Sequence, residues 1–160
     1  MAEQLKLLRP YLLLLGVFAV ARFVMGPLGV PYGRGHHVFS VVTLTAFSCV
    51  FYGAFVRRWR GQRLMQAIVL GFLVGAASQL AILLMTLLSY ALSLETYFNH
   101  PVALNLRTLE AADLWRATNA TPADFGTALV KRLGGLIGNS IFAGILGAIG
   151  WTIGGLLPEK

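Results

Sequence analysis

Arg57-Arg58-Trp59-Arg60-Gly61-Gln62-Arg63 places four arginines within seven residues, between an apolar run from about Val38 to Val56 and a longer one from Leu64 to about Leu94. Guanidinium groups this dense are not carried through hydrocarbon, so the stretch reads as a short loop at a membrane face. The two runs beside it then become spans. The second is long: 31 residues at 1.5 Å each reach roughly 46 Å, more than the ~30 Å hydrocarbon core, so it must tilt, kink or protrude.

Composition agrees with this reading. The 160 residues are 57% hydrophobic and 12% charged, against roughly 45–50% and ~25% in soluble domains, and the mean hydropathy is +0.73. Two further runs complete a set of four, from about Leu5 to Met25 and from about Leu133 to Leu157. The first is about twice the length of a signal-peptide core and no A-x-A cleavage pattern follows, so it reads as a retained span. The fold expected is an all-α integral membrane protein, a single domain over 1–160 in which four helices form an antiparallel bundle. Residues 95–132 are the one sizeable polar segment. Within it, Leu109, Ala112, Leu114 and Trp115 alternate with Glu110, Asp113 and Arg116, a pattern for a short amphipathic surface helix before the fourth span. Thr121 and Pro122 read as the cap and first residue of the helix leading into that span, with Asp124 near the positive end of its dipole.

Small residues recur along two spans. Gly71, Gly75 and Ser78 on the third, and Ser140, Ala143, Gly147, Gly150 and Gly154 on the fourth, follow one another at steps of three or four. Each set makes a smooth face along which another helix can approach closely. The economical expectation is that the two faces meet. The rival is that one faces a second copy or a larger membrane complex.

The net charge of +7 comes without a basic helix or RNA-type aromatic motif, so nucleic acid is not expected as a partner and the lipid bilayer is. Arg57, Arg58, Arg60 and Arg63 are expected at lipid headgroups. Four basic residues in this loop against Arg34 alone in the 26–37 loop put the arginine loop on the cytoplasmic side, with both termini. The localisation expected is a bacterial inner membrane. Arg22, one turn inside the end of the first span, reads as a snorkelling anchor, the alternative being a ligand for an anion.

Chemistry is sparse. All six carboxylates, Glu3, Glu95, Glu110, Asp113, Asp124 and Glu159, lie outside the spans, whereas proton-coupled transporters keep an acid within the membrane. His36, His37 and His100 are weak metal candidates, since adjacent histidines diverge on a helix and no ligand spacing supports a centre. Cys49 is the one cysteine and has no histidine at its depth to activate it. No cofactor and no enzymatic activity are expected. The reading is a structural or accessory protein; the alternative is a small transporter or channel whose path is lined by Thr45, Ser48, Gln79 and Asn139.

Overall fold

The computed structural model describes residues 2–106 and 121–157. The described chain is helical, without strands: α1 (Ala2–Met25), a one-turn α2 (Tyr32–Gly35), α3 (Val41–Arg58), α4 (Leu64–Ala91), a 3-10 turn at Pro101–Leu104, and α5 (Phe125–Gly154). The four long helices are each apolar and long enough to cross a membrane. Leu13, Val17, Phe47, Phe51, Leu84, Ile137 and Phe142 are exposed, while Ser78, Gln79, Thr86, Ser89 and Ser140 are buried.

Helix ends differ from the hydropathy boundaries for local reasons. Phe39 has φ 50°, so α3 starts at Val41 rather than Val38. Ser93 has φ 51° and the Leu94 N–H donates to Ser89 O at 2.9 Å, a left-handed close that ends α4 short of Leu94. The start expected at Thr121 is corrected to Asp124, whose Oδ2 accepts the Thr127 N–H at 3.0 Å. Ala123 is kept outside that helix because its N–H donates to Asn99 O at 3.1 Å. From Phe125 the helix runs unbroken through Gly134 and Gly135 to Gly154. The expected surface helix over 108–117 lies outside the described residues.

The chain divides into two compact units, one of Met1–Leu14, Val42–Gln79 and Gly135–Lys160, the other of Leu15–Val41 and Leu80–Gly134. In the first, α5 is the packing element. A Cβ on Gly71 would lie 2.5 Å from Ala143 O, one on Gly147 2.5 Å from Ala67 O, and one on Gly75 2.5 Å from the Ala143 methyl. The same face of α5 also meets α3. A Cβ on Gly154 would sit 2.6 Å from Ala54 O, and one on Gly150 would collide with Val50 O. Both small-residue faces are therefore occupied within the chain, and α3 is a second neighbour that periodicity does not reveal.

Hydroxyls complete this unit. Tyr11 Oη donates to Val74 O at 3.1 Å and lies 3.1 Å from Thr45 Oγ1; Tyr52 Oη donates to Leu7 O at 3.2 Å. Arg57 does not simply reach for headgroups: its guanidinium stacks 3.8 Å from the Trp151 ring centroid, and Trp151 Nε1 donates to Gln62 O at 2.9 Å. The cation–π contact joins the last turn of α3, which extends to Arg58, to the end of α5, and the Trp151 bond fastens the loop that follows.

Two alanine substitutions on one helix separate packing from helix propensity. Gly150→Ala places a methyl against Val50 O and is expected to destabilise by about 1–3 kcal/mol. Gly138→Ala, with nothing within 4 Å of its Cβ position, is expected to be neutral or to stabilise by up to ~1 kcal/mol. Unfolding of the two variants in detergent checks the contrast.

Candidate functional site

In the second unit, the polar side chains gather around Tyr32. Pro31 precedes a single helical turn in which the His36 N–H donates to Tyr32 O at 2.8 Å. The turn is pressed against Tyr97, whose hydroxyl donates to Val30 O and Pro31 O at 2.8 and 3.0 Å. Gly35 has no room for a side chain because the Tyr97 hydroxyl and Met25 occupy its Cβ position. The Tyr32 ring lies between two imidazoles, stacked on His100 at 4.1 Å and on His36 at 5.5 Å, with interplanar angles of 7° and 12°.

The segment carrying His100 is buried from Thr96 onward. A buried loop needs an internal partner for each backbone group, and Asn99 supplies several: Oδ1 accepts the Thr96 N–H and Nδ2 donates to Leu94 O, each at 2.9 Å. Thr96 Oγ1 meets Ser89 Oγ at 2.7 Å. His100 caps the following 3-10 turn, Nδ1 accepting the Val102 N–H at 3.2 Å. With Nδ1 accepting, the neutral ring carries its hydrogen on Nε2. That Nε2 is buried and has no hydrogen-bond partner. Burial pushes the ring's pKa down to about 4, so His100 is neutral at pH 7.

Two arginines reach the same cluster from the long helices. Arg22 Nη1 donates to His36 O at 2.6 Å, and its guanidinium lies 5.5 Å from the Tyr97 ring centroid. Arg132 Nε donates to Thr86 Oγ1 at 3.1 Å and Nη2 to Phe98 O. Both side chains are half-buried. The Tyr32 hydroxyl feels both charges: burial raises its pKa, and Arg22 and Arg132 oppose that rise. Among the described residues neither guanidinium is paired with a carboxylate. Glu95 and Asp124 are exposed, and Asp124 is held low in pKa by its cap bonds to Thr127. Chemically the cluster offers hydrogen-bond donors and positive charge, and its nearest acceptors are already engaged.

The other residues singled out in the sequence are less concentrated. His36 and His37 rings are 3.6 Å apart, and Tyr32 stands between His36 and His100; among the described residues no three His, Cys, Asp or Glu are arranged to hold a metal ion. Thr45 is bonded to Tyr11, Ser48 is half-buried and Asn139 exposed. Gln79 is buried, with Oε1 and Asn139 Nδ2 each 3.3 Å from the Cβ position of Gly135. Sequence reasoning placed Arg22 but passed over Arg132, Tyr32 and Tyr97. The helix start read at Thr121 already put Arg132 inside a helix, but spacing along that helix does not show which residues of the 95–100 segment its side chain meets. No known protein family, curated protein or solved structure matches the chain.

The depressed His100 pKa carries a stability consequence. Unfolding restores an ordinary value near 6.5, so the unfolded chain binds the proton first as pH falls, and the stabilisation present above ~6.5 is lost towards 4, by about 3 kcal/mol. His100→Asn keeps a cap acceptor but cannot titrate. Detergent unfolding between pH 7 and pH 4 is expected to show a steeper loss of stability in the native chain than in this variant.

Proposed function

We propose that the chain is a structural or accessory protein of a bacterial inner membrane, non-enzymatic, with its four spans in an antiparallel bundle and both termini in the cytoplasm. The observation that carries this reading is the internal use of the small-residue faces. Gly71, Gly75, Gly147, Gly150 and Gly154 each meet atoms of their own chain. Lipid supplies no hydrophobic drive between helices, so such close contacts are what hold a bundle together. The bundle is then self-contained, and a larger membrane complex would be met through other surfaces. The order of contacts supports the antiparallel topology: Ala67, Gly71 and Gly75 on α4 pair with Gly147, Ala143 and Ser140 on α5. The orientation is supported by the arginine count of the 57–63 loop.

The topology is tested by thiol labelling in a Cys49→Ala background. Arg63→Cys is expected to stay unlabelled by an impermeant maleimide added to intact cells, and Thr121→Cys to react; the reverse pattern inverts the topology. The function is tested by affinity isolation from the native membrane and by solute flux in reconstituted vesicles. A fixed partner that co-purifies, with no flux, is the expected result. Selective flux lost in Gln79→Leu would replace this reading with a small transporter.

A further inference from the structure

The geometry points to a binding site for a phosphate-type oxyanion at Arg22 and Arg132, beside the Tyr32 hydroxyl. Its position on the outer face rests on the topology proposed above; the binding itself does not.

The first argument is charge. Arg22 and Arg132 belong to two of the helices apolar enough to cross a membrane, and they meet on neighbouring residues of one segment: Arg22 lies 5.5 Å from the Tyr97 ring centroid and Arg132 donates to Phe98 O. Two like charges in a half-buried setting repel and are poorly solvated. The described residues provide no carboxylate to offset them. A bound dianion would neutralise both, whereas a monoanion such as a carboxylate would leave one charge over. The dianion that matches two guanidinium forks is a phosphate or a phosphomonoester.

The second argument is hydrogen bonding. Arg22 commits Nη1 to His36 O and faces the Tyr32 hydroxyl; Arg132 commits Nε and Nη2. The remaining N–H groups, Arg132 Nη1 among them, meet no acceptor among the described residues. His100 adds a buried Nε2–H without a partner, on the ring stacked against Tyr32. Donors in excess of the acceptors beside them favour a ligand that accepts. The carbonyl bonds also fix the forks in advance: His36 O and Phe98 O hold the two guanidiniums in place, so little side-chain freedom is left to lose on binding.

The third argument is depth. Arg22 is one turn from the end of α1, at the level where phospholipid headgroups lie if α1 spans the bilayer. The same chemistry is presented by inorganic phosphate in solution and by a lipid phosphomonoester, and the experiment separates them.

The purified full chain in neutral detergent is titrated at constant ionic strength with inorganic phosphate, with chloride as control, and separately with short-chain phosphatidic acid against phosphatidylcholine. Thermal unfolding and retained phosphorus are read together. The expected result is saturable stabilisation by phosphate, by phosphatidic acid or by both, identifying the source as solution, headgroup or either. At least a tenfold weakening is expected in Arg22→Gln and none in Arg34→Gln, whose arginine is exposed. No saturable effect on the native chain overturns the site, whether or not the variants fold. An unchanged affinity in Arg22→Gln overturns it equally. A third overturning outcome is a Glu110→Gln, Asp113→Asn chain that binds phosphate where the native chain does not, since the counter-charge is then internal. Thiol labelling reads the topology independently, so failure of the site and failure of the membrane reading are distinct.

Discussion

The contact on which the first unit depends is backbone against backbone at α5. Within lipid, helices gain nothing by hiding apolar surface from water, and their association comes from van der Waals contact and from hydrogen bonds across the interface. Contact of that kind needs the chains to come within the reach of a carbonyl, and a single Cβ prevents it at Gly71, Gly147, Gly150 and Gly154. Once α5 is seated against α3 and α4, the hydroxyls of Tyr11 and Tyr52 fall beside carbonyls of neighbouring helices. The large aliphatic side chains are then left on the outside.

The second unit meets a different requirement. Its segment from Thr96 to His100 is buried without being helical, so its backbone groups need partners that no regular structure provides. Asn99 supplies two, Thr96 and Ser89 supply a hydroxyl pair, and Arg132 takes the Phe98 carbonyl. Arg132 thus closes this loop at the same time as it brings a charge to Tyr32.

The four long helices were legible because hydropathy and length are summed over twenty or more residues, and small errors at either end do not matter. Ends were less legible, because they are set by single dihedrals: Phe39 and Ser93 adopt left-handed backbone that neither residue type advertises. The small faces could be read from spacing, but spacing shows only that a face is smooth, so the contact of α5 with α3 went unseen. Arg57 was legible as a charge and not as a ring partner, since Trp151 is 94 residues away in the chain. The Tyr32 cluster was the least legible part. It joins α1, α2, α4, α5 and the 95–100 segment, and no local pattern encodes such a meeting.

Cys49 has no exposed surface and is the one cysteine of the chain. Its thiol points at Gly71 O, 3.7 Å away, which is also the stretch of α4 that α5 covers. A thiol reagent can reach it only when these helices part. Because no other sulfhydryl competes, the rate of its modification is a clock for that opening: where closing outpaces modification it measures the fraction of time the interface is open, and where modification outpaces closing it measures the rate of opening. The protein therefore carries its own kinetic reporter within the packed contact of its helices.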